Sequence, residues 1–492
     1  MTRIRHRLVS SFICSTVLVA CYGNHPHQPD PKTFQSSRST ASLSVVEVND
    51  RGNFWYANQA ISAIDTVLDR ARKGNTVVVL FVHGWGHDAQ TRDQNLVCFS
   101  HTLESLSQRL NPQAPTLAGN ASSNSGPAPS PTYRVVGIYV GWRGKSLPEG
   151  PGFTSIISRL PTFWARKGTA AKIGRGDLRA FVERLGGIYD SINYGPENPT
   201  KSARRTDTTF SLVTVGHSFG GQALFPAVAS HIEDQLQANA GDSAWHALRN
   251  HPTQPSTKKA FIAGLGDLVV LVNPAMEALA YERMNRLAKS LEFSNVQTPA
   301  LIVFDAQNDY PRRWLFPIGR SITTAFAAGA EPHDRERDRV VLGRYSPQIT
   351  HRLNLDSNPG FAADTFPRPK GAKDNPFDLE SGDCGRGFAA ESGPTDQLSE
   401  TLKRDPLGTD VTGEWHISGK HIAPISDKPQ PYAPVLVVRS TEKQIINGHN
   451  GFFQPNFVDF LIRYVTDIQT KRFAVRDARR DLANRYNPRK GR

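Results

Sequence analysis

Long apolar runs are nearly absent from this 492-residue chain, in which 38% of residues are hydrophobic. That scarcity excludes a bundle of membrane-spanning helices. Zinc-knuckle spacings and RNP-type sequences are missing too, so the formal net charge of +13 does not point to nucleic acid. No segment repeats, which excludes a solenoid. What is present is chain enough for one large core, or for a core with an insertion.

The charge is unevenly placed. Residues 1–20 hold three arginines and no acid, and residues 471–492 hold nine basic and two acidic residues. Most of the positive surplus therefore sits at the two ends. The last 22 residues read as a solvated basic tail, with contact to anionic lipid or cell-envelope polymer as the lesser reading.

One apolar run does stand out, in "MTRIRHRLVSSFICSTVLVAC". Arg3, Arg5 and Arg7 precede a stretch from Leu8 to Ala20 that is too short to span a bilayer comfortably. The pattern over residues 1–20 predicts a secretory signal. Its end, Leu18-Val19-Ala20-Cys21, resembles the lipobox of bacterial lipoproteins. The resemblance implies acylation of Cys21, a membrane anchor and a cell-envelope location. Tyr22, where many inner-membrane lipoproteins carry aspartate, implies the outer membrane if there is one. An ordinary signal with an accidental cysteine is the alternative. Residues 21–43, rich in Pro, Ser and His, read as a flexible tether.

Of the four cysteines, Cys14 leaves with the signal and Cys21 is the anchor. In an exported protein Cys98 and Cys384 suit one disulfide, and two free thiols are the alternative.

The body, residues 44–470, alternates apolar runs with amphipathic stretches. A strand is expected from Ser44 and a helix over Ala57–Lys73, with Ile61, Ile64, Leu68 and Ala71 on one face. Six strand-like runs follow, near 76–84, 133–142, 210–218, 267–275, 299–309 and 434–440. Continuous apolar strands separated by helices predict a doubly wound, mostly parallel α/β sheet. Two segments fall outside that rhythm. Residues 111–132 are low in complexity and read as a disordered loop. Residues 316–433 form a long insertion before the last strand, with ordered-looking pieces such as "RVVLGRYSPQITHRLNL".

The sharpest local signal is "FSLVTVGHSFGGQALFPAVA" from Phe210. A strand meets a helix at Gly216-His217-Ser218-Phe219-Gly220, a G-x-S-x-G corner that exposes the Ser218 hydroxyl beside a helix N-terminus. By itself it is equally a glycine-rich helix start with Ser218 as cap. Partners decide between them. His83-Gly84-Trp85-Gly86-His87 follows the first of the six strands, where the Trp85 amide can serve an oxyanion with the Phe219 amide. A metal pair at His83 and His87 is disfavoured by the intervening glycines. His449 lies in a glycine-flanked loop after the last strand and is the candidate base, preferred over His351, His416 and His421. Asp309, in the turn after the 299–309 strand, is the candidate acid. Asp305 at the strand end reads as structural, and Glu277 is a weaker third.

On these motifs the chain resembles the α/β-hydrolase fold family, specifically its serine esterases and lipases, over about Val77–Val465. The resemblance implies Ser218, His449 and Asp309 as a triad, an oxyanion hole at Trp85 and Phe219, and a carboxylic or lipid ester as substrate. It implies no metal and no organic cofactor. Trp85, Phe219, Trp314, Phe316, Phe452 and Phe453 surround the motifs, favouring an acyl or aromatic ester unless they are simply core.

Mass spectrometry of the mature N-terminus tests the lipobox: an acylated Cys21 is expected, and an unmodified Cys21 or cleavage elsewhere rules the anchor out.

Overall fold

The structure is a computed structural model that describes residues 25–111, 132–144, 166–194, 209–241, 248, 259–309, 333–355, 376–378, 384, 415–417, 420–426 and 429–470. The signal, Cys21, most of the 111–132 loop and the basic tail lie outside the described residues.

The first elements are β1 (Thr33–Gln35), β2 (Ser42–Val48), α1 (Ala57–Arg72), β3 (Thr76–Val82), α2 (Gln94–Leu110) and β4 (Arg134–Trp142). Then come α3 (Asp177–Tyr194), β5 (Phe210–His217), α4 (Phe219–Ala240), β6 (Leu268–Val272), α5 (Ala278–Lys289) and β7 (Leu301–Ala306). The later described elements are α6 (Asp334–Arg339), β8 (His351–Leu355), β9 (Trp415–Ile417), β10 (Lys420–Pro424), β11 (Val435–Ser440) and α7 (Pro455–Thr470). The eleven strands among the described residues form one sheet in the order β1-β2-β4-β3-β5-β6-β7-β11-β8-β10-β9. The eight strands from β2 to β8 in that order pair in parallel, and the two ends are antiparallel.

The sheet is covered on both faces, as continuous apolar strands require. Along β3 the side chains alternate: Val78, Leu80 and Val82 join one core, and Val77 and Phe81 join the other. The first core takes α1, α3, α4 and α5, and the second takes α2 and α7. Each fully buried Val or Leu contributes about 1.5–3 kcal/mol, so these two faces carry most of the driving force. No helix among the described residues is long and apolar enough to cross a membrane.

The topology fixes where a site can form. After β3 the chain crosses by α2 to β4 on one side of it, and after β4 it crosses by α3 to β5 on the other side. The carboxyl ends of β3 and β5 therefore open a crevice at a switch point.

Two expectations need correction. Residues 25–43 are no free tether, because β1 pairs with β2 (Thr33 with Ser44) and the backbone N–H groups of His27 and Gln28 donate to the Glu47 carboxylate at 2.6–3.0 Å. A buried carboxylate at the sheet edge needs donors, and this segment supplies them. Nor is the 316–433 insertion wholly outside the core. Its described pieces supply β8, β10 and β9, which extend the sheet beyond β11. The strand expected from Ser44 begins at Ser42.

Cys98 of α2 is bonded to Cys384, closing a loop of 286 residues in sequence separation. The bond ties the insertion to the first helix of the second core. Reduction, Cys98→Ser, Cys384→Ser and the double variant should all lower unfolding free energy by the same amount, about 2–5 kcal/mol. Denaturant titration with and without reductant checks this, and two titratable thiols in native, unreduced protein would refute it.

Candidate active site

Ser218 has φ 55° and ψ −117°, a conformation that non-glycine residues seldom adopt. The corner is held on three sides. Ser218 N–H donates to the Val272 carbonyl at 3.0 Å, and the Ser218 carbonyl accepts from Gln222 at 3.1 Å and Ala275 at 3.0 Å. Gly220 makes this packing possible, because a Cβ there would lie 2.0 Å from the Val82 carbonyl oxygen.

The structure brings Ser218, His449 and Asp309 together from three segments. The Ser218 hydroxyl donates to His449 Nε2 at 2.8 Å, and His449 Nδ1–H donates to Asp309 Oδ2 at 2.7 Å. Asp309 is fully buried, Ser218 is buried, and the His449 side chain is 22% exposed. A buried carboxylate behind, a partly open imidazole between and a strained hydroxyl in front constitute a proton relay ending at Ser218 Oγ.

The turn after β3 comes against the same corner. A Cβ on Gly84 would lie 2.9 Å from Ser218 Cβ and 3.0 Å from His217 Nδ1. Trp85 is half-buried in that turn, and Phe219 is the first residue of α4, directly after Ser218.

His83 and His87 are not a metal pair. His83 is fully buried, donating from Nδ1 to the Gly84 carbonyl at 2.8 Å and accepting at Nε2 from the Trp142 N–H at 3.0 Å. His87 donates from Nδ1 to Asp93 at 3.0 Å, and Asn95 Nδ2 donates to its Nε2 at 3.0 Å. All four ring nitrogens are engaged, and no metal-competent group of His, Cys, Asp or Glu occurs among the described residues. His83 instead pins the turn to β4, with its ring stacked on Tyr139 and Trp142.

The other candidates stand apart. Glu277 pairs with Lys167 at 2.5 Å. His351 lies in β8 with Nδ1 2.8 Å from Thr350 Oγ1. Asp305 is fully buried on β7, paired in register with Arg439 of β11, and takes no part in the relay. Phe219, Phe452 and Phe453 are core residues, and Trp314 and Phe316 lie outside the described residues. An apolar cleft of about 640 Å³, open mouth included, lies between α2 and α7. It meets the site through Phe452, whose ring stacks on His217 at 4.1 Å between centroids.

Three side chains that hold the His449 loop have only faint sequence signals. His217 Nε2–H donates to the His449 carbonyl at 2.8 Å. Asn273 Nδ2 donates to the same oxygen at 3.0 Å and to the Gly448 carbonyl at 3.2 Å, while its Oδ1 accepts from Ala306 N–H at 2.8 Å. Asn308 Oδ1 accepts from Gly448 N–H at 2.9 Å. Asn273 sits at φ 46°, a conformation asparagine tolerates better than most residues, and Asn-Pro at a strand end is the signal that marks it.

Comparison with protein-family models, curated proteins and solved structures finds no match to this chain.

Burial depresses the basicity of two histidines around the serine. It pushes His83 down to about 4, and holds His217 well below the ordinary value, with repulsion from His449 adding to the effect. Both are therefore neutral in the folded state, while the unfolded chain takes up their protons near pH 6.5. Their contribution to stability is complete above pH 6.5 and is lost as the pH falls below it, by about 3 kcal/mol for His83 by pH 4. Urea unfolding at pH 7 and pH 5 should show the decline, and His83→Asn should flatten it. A slope unchanged by that substitution would refute the assignment.

Proposed function

We propose that this protein is a serine hydrolase of the α/β-hydrolase type that cleaves carboxylic esters through an acyl-enzyme. One observation carries the reading: the unbroken Ser218–His449–Asp309 hydrogen-bond chain at a strained strand-to-helix corner. A serine that merely capped α4 would accept from helix N–H groups, whereas Ser218 makes no side-chain cap bond and turns its hydroxyl to His449.

In this mechanism Ser218 Oγ attacks the ester carbonyl carbon as His449 Nε2 takes the hydroxyl proton. Asp309 holds the imidazole in the Nδ1–H tautomer and stabilises the imidazolium. The Trp85 and Phe219 amides donate to the oxyanion, with the dipole of α4 adding to their effect. The carbon–oxygen bond to the alcohol then breaks, and His449 returns the proton to the departing oxygen. Water, deprotonated by His449, attacks the acyl carbon, and Ser218 leaves with that proton. Acyl transfer or peptide hydrolysis would use the same groups, and a panel of ester, amide and lipid substrates with alternative acceptors separates them.

The proposal includes the cell envelope as location, through Cys21, on the strength of the N-terminal pattern. With His27 bound to Glu47, the six-residue path from Cys21 spans at most about 20 Å. An anchored protein would thus hold its β1 edge close to the bilayer.

A fluorophosphonate should label the wild type at Ser218, and Ser218→Ala should abolish labelling. Asp309→Asn should stay folded but lose about 10⁴-fold in turnover, the magnitude known from another triad enzyme, whereas Asp305→Asn should chiefly alter stability. An inert wild type would point to a catalytically silent envelope protein. An inactive, folded Asp305→Asn beside a near-normal Asp309→Asn would reassign the acid.

A further inference from the structure

We propose that Arg344, supplied by the long insertion, is a positioning residue for the triad acid. The inference rests on the hydrolase reading above. Arg344 Nη2 lies 2.9 Å from the Ala306 carbonyl oxygen, 3.1 Å from that of Gln307 and 3.0 Å from that of Asp309. These are the carbonyls of the turn that carries Asp309 out of β7, and the Asp309 N–H closes the same turn on Ala306 at 3.2 Å. Three carbonyl dipoles converging on one point repel one another unless a cation sits at the focus. A planar guanidinium supplies that charge in a fixed shape.

The guanidinium is itself fixed from behind. Its Nε faces the Asp305 carboxylate at 3.7 Å, and Arg439 Nε faces the same carboxylate at 3.8 Å. Arg439 Nη2 also donates to the Gly343 carbonyl at 2.8 Å. The backbone that carries Arg344 is tied down by Leu342 N–H on the Met276 carbonyl at 2.9 Å, and Val341 and Leu342 are buried. Gly343, at φ 91°, brings this segment against β7, since a Cβ there would lie 2.5 Å from Asp305 Cβ. Asp305 thus has a structural role: with Arg439 it helps hold the segment that carries Arg344 against β7. No sequence spacing links residue 344 to residue 309, but the sheet puts them side by side.

Arg344 does not touch the reacting atoms, so its loss should act through the Asp309–His449 contact. The test is a cycle of Arg344→Gln and Arg344→Lys, each made in the wild type and in Asp309→Asn. Ester turnover and fluorophosphonate acylation are measured at matched folded fraction. In the wild-type background Arg344→Gln should lower kcat by about 10²-fold, the scale of a 1 Å misplacement, with KM nearly unchanged. Lysine, which keeps the charge and loses the fork, should restore part of the rate. In the Asp309→Asn background neither change should cost further rate, because the contact it protects is already gone. Should Arg344→Gln fail to fold, the Arg344→Lys cycle decides alone. Equal losses in both backgrounds, or full kcat in the folded single variants, would overturn the positioning role. A wild type inert to both ester and probe would instead sink the hydrolase reading on which the proposal stands.

Discussion

The strained backbone at Ser218 is the constraint on which the rest of the site depends. A residue with a side chain at φ 55° and ψ −117° costs of order 1–3 kcal/mol, and it persists only where neighbours over-determine it. Here β5 enters the corner and α4 leaves it, both buried along their length on the sheet side. The exit of β6 grips it from the flank through Val272 and Ala275. Gly220 lets the β3 exit pass against it. Relaxing Ser218 would require parting three adjacent strands, so the strain is held by the most cooperative part of the fold.

Around that corner, burial sorts three histidines into different roles. His83 and His217 are fully enclosed and neutral, and each spends its ring N–H on a backbone carbonyl. His449 keeps an opening to solvent and has the Asp309 carboxylate behind it. Burial thus disfavours the protonated form of His83 and His217. A charge on His217 would stand beside His449, with ring centroids 5.0 Å apart, and its desolvation prevents that competition.

Much of this was legible in the sequence, and the limits have physical causes. Val, Ile and Leu runs ending in Gly, Asn or Asp mark strands and their exits locally, so β3 to β7, β11 and the corner at Ser218 follow from short windows. Chain order then orders Asp309 and His449. Position relative to the strand separates Asp309 from Asp305, since a strand residue is committed by the pleat and its register partner is Arg439. Residues 25–43 misled because composition reports local propensity, whereas what binds them is a buried carboxylate at Glu47. Cys98 and Cys384 are 286 residues apart, a distance over which spacing carries no information about proximity. Asn273, Asn308 and Arg344 act through hydrogen bonds to backbone, which leave almost no trace in residue pattern.

The insertion shows how a sheet can recruit chain that looks superfluous. β8 pairs in parallel with β11 through Val438 and His351, so the segment just before it is forced to cross the β7 exit. That crossing places the 341–344 turn against Asp305 and puts a guanidinium among the carbonyls of the Asp309 turn. The opposite end of the insertion is tied down independently, by Lys420 of β10 on Asp459 of α7 at 3.2 Å and by the Cys384 bond to α2. Three attachments, to β11, α7 and α2, fix the described pieces of the insertion to the sheet and the second core. An excursion serving only as a surface lid would gain nothing from being sewn into the sheet edge. On the proposed reading, these attachments fit support of the turn that carries Asp309 better than cover for the mouth of the site.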